Sequence, residues 1–202
     1  NTYTGTTIVN AGLLRTGADN VLPDTTAVTV NAVAADGTAT LDLAGNSDTV
    51  LSLTFAGATA GANSTNTVTT GTGTLAVAGG VTFTATNNPA GTTISGQLDL
   101  GGGADTFNIG DSSNAAVDLT VSANIAGTGG GITKATGTGT LVLSGNNTFT
   151  GNTTLSAGVL RATTSPAALG AGNLYLGAGT LELANDSALA FGRPTSVTAN
   201  TT

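Results

Sequence analysis

An all-β parallel β-helix, a β-solenoid of about 21 residues per coil, is the fold that this sequence predicts, and three observations carry it. Strand-sized runs of alternating apolar and polar residues recur along all 202 residues, bounded by Gly, Asn and Asp, with helical patterning nearly missing. The runs return at a nearly constant interval. A segment at the start also recurs, at an offset of 146 and without a gap.

The runs themselves are short. Thr40-Leu41-Asp42-Leu43, Thr74-Leu75-Ala76-Val77, Thr140-Leu141-Val142-Leu143 and Thr180-Leu181-Glu182-Leu183 each put two apolar side chains on one strand face. Single hairpins have the same pattern, so the spacing decides. Taking Leu75, Leu98, Leu119, Leu141, Leu160 and Leu181 as one register gives steps of 23, 21, 22, 19 and 21 along the chain. Gly stands two positions earlier at Gly73, Gly96, Gly139, Gly158 and Gly179, with Val117 the exception. Backward, Leu53 lies 22 before Leu75 and Val30 lies 23 before Leu53; the register fails at Leu14, only 16 before Val30. Such a period suits a coil of two or three short strands whose equivalent residues stack ~4.8 Å apart, apolar inside and Gly at the corners. Nine or ten coils would make a rod of roughly 45 Å at that spacing. Neither end carries a capping helix or charged coil, so the edges are expected to continue into neighbouring sequence.

Composition narrows the function. Charged residues are 7% and aromatics 3%, so the polar surface comes from Thr, Asn and Ser. The 31 Gly follow no triplet, which excludes collagen. A net charge of −7, with Arg15, Lys134, Arg161 and Arg193 as the only bases, excludes nucleic acid as a partner and disfavours anionic membranes. No apolar run approaches the ~20 residues of a spanning helix, and no signal peptide is visible. Without Cys there is no disulfide or thiolate metal site; with no Met and Asn1 first, a processed product or excised segment is expected.

The long repeat aligns Asn1-Thr2-Tyr3-Thr4-Gly5 with Asn147-Thr148-Phe149-Thr150-Gly151. At the same offset Val9, Ala11, Gly12, Leu14 and Arg15 fall on Leu155, Ala157, Gly158, Leu160 and Arg161. Residues 1–202 are therefore read as one continuous solenoid segment in which 1–15 match 147–161, the pattern of an array. The stretch from Gly137-Thr138-Gly139-Thr140-Leu141-Val142-Leu143-Ser144-Gly145-Asn146-Asn147-Thr148-Phe149-Thr150-Gly151 to Ala157-Gly158-Val159-Leu160 resembles the autotransporter-associated β-strand repeat, found in passenger regions of bacterial type V secreted proteins and in very long surface proteins. The first fifteen residues resemble the second half of that motif, and Gly37 to Thr49 resembles its spacer. The resemblance implies a right-handed parallel β-helix displayed outside the cell. It transfers no catalytic residues, because the motif is a scaffold.

Little chemistry is expected. Zero His and zero Cys remove the commonest general base, nucleophile partner and transition-metal ligands. The acids, ten Asp and the single Glu182, are scattered, so no catalytic, cofactor or metal residue is assigned and the chain is read as a non-enzyme. Gly101 to Ile109 resembles the calcium nonapeptide G-G-x-G-x-D-x-U-x, with Asp99 and Asp111 as further oxygen donors. A single copy lacks the tandem partner such sites need, and the reading preferred is a turn in which Asp105 bonds its own backbone. Arg15 and Arg161, equivalent in the long repeat, are expected to take a satisfied edge position or an ion pair along the solenoid in preference to a binding role, and Tyr3 and Phe149 to pack at a coil corner. The sequons at Asn63, Asn146 and Asn152 are read as stacked Asn ladders.

The expected role is a structural segment of an exported bacterial surface protein, a shaft or fibre that displays or mediates adhesion at the extracellular face. Its expected partners are adjacent repeats of the same polypeptide, other copies in a fibre, and a glycan or host surface. A carbohydrate- or host-binding module is the alternative, and a polysaccharide-active β-helix enzyme a third reading.

Overall fold

Every strand pairing among the described residues of the computed structural model is parallel, and pairing runs between successive coils rather than between sequence neighbours. The structure describes residues 1–33, 36–57, 63–87, 89–184 and 192–199. The first sheet stacks nine strands: β1 (Thr7–Val9), β3 (Ala27–Ala32), β6 (Ser52–Gly57), β8 (Val81–Phe83), β10 (Ala104–Ile109), β13 (Gly131–Lys134), β15 (Thr153–Leu155), β17 (Leu174–Leu176) and β19 (Thr195–Val197). The second stacks β2 (Gly12–Arg15), β4 (Thr38–Asp42), β7 (Thr65–Val77), β9 (Thr92–Asp99), β11 (Leu119–Val121), β14 (Thr140–Leu143), β16 (Val159–Thr163) and β18 (Thr180–Ala184). Two short strands, β5 (Asp48–Val50) and β12 (Asn124–Ala126), pair with the C-terminal ends of β7 and β9 and complete a third face in the middle coils. This is the parallel β-helix that the strand pattern predicts.

The coils are not of one length. In the first sheet the step in residue number is 21 from Thr7 to Val28, and again from Lys134 to Leu155, Leu176 and Val197. Between Val28 and Lys134 the paired positions are Leu53, Val81 and Phe107, giving steps of 25, 28, 26 and 27. The longer coils are those that carry the third face. There β7 and β9 pass a corner where their register shifts between Thr69 and Thr74, so that Thr69 faces Ser95 while Thr74 faces Gln97. Extra residues are absorbed at the corner and the stacking on either side is kept.

The single leucine column expected from the sequence resolves into three. Leu75 pairs with Leu98 on the third face, and Leu119, Leu141, Leu160 and Leu181 form one column of the second sheet. Leu98 continues to Ile125 and not to Leu119, while Leu53 belongs to the first sheet and stacks with Val28 and Val81. The reason is that all three faces share the same alternation, so one nearly constant step along the chain can link positions on different faces.

Inward positions form ranks along the axis. Val9, Val30, Phe55, Phe83 and Ile109 make one, and Leu41, Val68, Ile94, Val121, Leu143 and Ala162 another, all in the buried core. Full burial of each Leu, Ile, Val or Phe contributes about 1.5–3 kcal/mol. Because each side chain lies on a similar one in the next coil, the core extends with the sheet instead of closing. Outward positions carry threonine columns: Thr29–Thr54–Thr82 on the first sheet and Thr40–Thr67–Thr93–Thr120 on the second.

Glycine enters where a Cβ would point along the axis into the next coil. Gly151 and Gly5 occupy the same place in the long repeat, but within residues 1–202 only Gly151 has a coil before it. A Cβ on Gly151 would lie 2.7 Å from Gly129 O and closer still to Gly130 O, whereas a Cβ on Gly5 has nothing within 4 Å. Gly151→Ala is therefore expected to cost about 1–3 kcal/mol or more by overpacking against backbone, and Gly5→Ala under ~0.5 kcal/mol. Chemical denaturation of the two single variants checks this; equal losses would remove the packing argument.

Candidate functional site

The surface feature that repeats is an ion pair. Arg15 Nε donates to Asp42 Oδ2 at 2.8 Å, and Arg161 Nε to Glu182 Oε2 at 2.5 Å. In both, the acid stands directly above the arginine in the register of the second sheet. Along the chain the partners stand 27 apart in the first pair and 21 apart in the second. The geometry is thus kept while the chain length between partners is not. Ala44 N–H donates to Asp42 and, with Arg15, holds this carboxyl below its usual range despite a smaller opposing effect of burial. Such exposed pairs contribute about 0–1 kcal/mol, so they set register more than stability.

Of the two aromatics expected at coil corners, Phe149 packs there and Tyr3 does not. Phe149 is fully buried and packs on Gly170, which has φ +72; its equivalent Tyr3, in the first coil, is 36% exposed. The asparagines form rungs: Asn124 Oδ1 accepts from Asn146 N–H at 2.8 Å, and Asn152 Oδ1 from Asn173 N–H at 3.1 Å. Asn147 is buried, its Oδ1 accepting from Ile125 N–H at 2.8 Å and its Nδ2 donating to Ala168 O at 2.6 Å. Asn66 bridges Ala32 N–H and Ala56 O in the same manner. These amides satisfy backbone groups near strand ends and in turns that the ladder leaves unpaired.

Charged groups inside the solenoid go beyond what the sequence analysis anticipates. Lys134 occupies the inward column between Phe107 and Leu155 and has no exposed surface. Its Nζ donates to Gly137 O at 2.9 Å and Thr136 O at 3.2 Å; burial lowers its pKa, and the nearby Asp118 partly restores it. Asp118 is buried too and accepts from Ser112 N–H at 2.7 Å and Thr140 N–H at 2.8 Å. Burial raises its pKa against those two bonds, with Asp111 adding to the rise and Lys134 opposing it. The signal lies in the strand itself: in Ile132-Thr133-Lys134 the alternation puts Lys134 in phase with the buried Ile132. Arg193 clamps a turn by donating to the carbonyls of Leu169, Gly170 and Gly172.

Asp105 departs from its expected place. It lies within β10, not in a turn, and points inward from the same side as Phe107. Only 5% of it is exposed, and its Oδ2 has no hydrogen-bond partner. Burial, with a smaller push from the charge of Asp99, raises its pKa from 3.8 to about 6. Asp111 instead acts on Asp118, so the structure does not bring Asp99, Asp105 and Asp111 to one point. Among the described residues no three His, Cys, Asp or Glu side chains gather as metal ligands would.

A carboxyl whose pKa is higher folded than unfolded holds more protons in the folded state between the two values, so stability falls as pH rises through that window. Asp105→Asn is expected to flatten the fall between pH 4 and about 6 and to be more stable than the parent at pH 8 by about 1–3 kcal/mol. Denaturation of both chains across pH, in buffer free of divalent ions, measures the difference. Parallel curves would show that Asp105 is not the group responsible.

Comparison with known proteins places the repeat. No curated protein and no solved structure matches the chain. A family model described as passenger-associated-transport-repeat matches residues 1–15 and 135–162. Those two stretches contain both copies of the long repeat, Asn1 to Arg15 and Asn147 to Arg161, together with β14 and both arginines of the recurring ion pair. At these two places, one long repeat apart, the chain is similar to the passenger-associated-transport-repeat family, in keeping with the resemblance to the autotransporter passenger repeat.

Proposed function

We propose that this chain is a rigid spacer of an exported bacterial surface protein, one that sets distance and presents a surface and does no catalysis. One observation carries the reading. The long repeat takes β1 to β15 in the first sheet and β2 to β16 in the second, and both journeys are six coils. The register agrees as well: Val9 stacks with Val30 as Leu155 stacks with Leu176, one repeat later. A whole number of coils in both sheets means that a further repeat adds length and keeps every strand on its own face and in register. Six coils correspond to roughly 29 Å of rod at ~4.8 Å per coil.

Adjacent repeats of the same polypeptide are the first partner under this reading, since each coil presents a full set of backbone donors and acceptors to the next. Display outside the cell fits the passenger-type repeat, the polar but weakly charged surface and the lack of Cys. Adhesion or fibre formation would use the outer faces. The threonine column Thr40–Thr67–Thr93–Thr120 favours a second reading, in which a flat hydroxyl-rich strip binds glycan.

Chains carrying one, two and three copies of the long repeat separate these ideas. Small-angle scattering and electron microscopy are expected to show a rod that lengthens by about 29 Å per unit at constant width. Growth in width, or irregular increments, would overturn the spacer reading. Glycan-array binding abolished by Thr67→Lys and Thr93→Lys would support the second.

A further inference from the structure

We propose that Asp105, Asp99 and the glycine-rich turn between them form a site for a hard divalent cation of calcium's size. The sequence places the parts close together: Asp99 ends β9, Gly101-Gly102-Gly103 make the turn, and Asp105 is the second residue of β10. Counting from Asp105, Gly103 and Gly101 stand two and four positions before it and the inward Phe107 two after, the order of the last glycines, Asp and apolar position in the calcium nonapeptide.

The structure adds what the motif alone lacked. Asp105 is buried, with 5% of its surface exposed, and Oδ2 is left without a donor. An ionised carboxylate in that position costs several kcal/mol unless something positive answers it. The charge that acts on it is that of another carboxylate, Asp99, whose Oδ1 already accepts Gly101 N–H at 2.8 Å. The four bases are engaged elsewhere: Arg15 and Arg161 in ion pairs, Arg193 on the carbonyls of Leu169, Gly170 and Gly172, and Lys134 on those of Thr136 and Gly137.

The turn beside Asp105 offers backbone oxygen, while the buried Ile132 stands above Asp105 in the strand register. Val81 pairs with Phe107, so the chain beneath Asp105 is the glycine pair Gly79–Gly80. In the coil above, Gly101 O lies 2.8 Å from where a Cβ on Gly127 would sit and 2.7 Å from one on Gly130. Gly103 O lies 3.3 Å from the latter and Asp99 Oδ1 3.6 Å from the former. Calcium accepts six to eight oxygen ligands drawn from carboxylates, carbonyls and water, so two carboxylates with backbone and water suit a weak site. Magnesium, which requires a near-ideal octahedron, fits such a flexible corner less well. The site stands independently of the spacer reading, since it rests on one corner of one coil.

Calorimetry of the whole chain tests it, with melting followed in EDTA, in 10 mM CaCl2, in 10 mM MgCl2 and in NaCl of matched ionic strength, all at pH 8. Calcium is expected to raise the melting temperature by about 3–5 °C for a dissociation constant near ~1 mM. Asp105→Asn should melt higher than the parent in EDTA and lose the calcium response, and Asp99→Asn should weaken calcium binding by about tenfold in titration calorimetry while the chain stays folded. No calcium shift in the parent, or an equal shift in Asp105→Asn, would overturn the site. Stabilisation of the parent by acid alone, with no response to calcium, would also overturn it and leave Asp105 a buried carboxylic acid answered by a proton.

Discussion

Everything in this fold depends on the backbone ladder between one coil and the next. Each strand of the two long sheets hydrogen-bonds to the strand a full coil before and after it, at the close spacing of parallel β-structure. That spacing is too small for a side chain to be wedged between coils, which is why Gly73, Gly139 and Gly145 stand where an added Cβ would run into the carbonyl of the coil beside them. It also favours apolar side chains of similar size in one column: Phe55 lies on Phe83, and Leu141 on Leu119 and under Leu160.

Corners follow a different rule. There the chain leaves the ladder, and its amides need other partners. Asn66 and Asn147 supply them from inside, Asn124 and Asn152 from outside, and Asp48 accepts from both Val21 and Leu22 N–H at 3.0 Å. The abundance of Asn and Asp in a weakly charged sequence follows from this demand. Lys134 belongs to the same logic, since its ammonium satisfies two corner carbonyls although its stem lies in an apolar column. Such an arrangement replaces the backbone hydrogen bonds that a sheet would have provided.

The strands and their stacking are legible in the sequence because alternation and recurrence are local and periodic signals. The long repeat is legible for the same reason, and Arg15 and Arg161 take a shared role from their equivalence alone. Which face each leucine belongs to is not legible. Leu98 and Leu119 stand one period apart yet occupy different columns, and only the corner between Thr69 and Thr74 explains the mismatch. Asp105 is disguised by its glycine neighbours, which signal a turn that ends at Gly103, two positions before it. Lys134 is disguised by its charge, which usually marks an outward position, although strand phase points it inward. Both cases arise where composition and periodicity disagree, and in this fold periodicity wins.

The corner at Gly71–Gly73 has a consequence for how such a protein changes over time. The shortest and the longest coils rise by the same amount, because rise is fixed by the ladder and surplus chain leaves sideways. Insertions and deletions at corners therefore alter girth and surface relief and leave reach untouched. Sequence change that varies the outer surface while keeping the length of the rod has in these corners a place to accumulate freely.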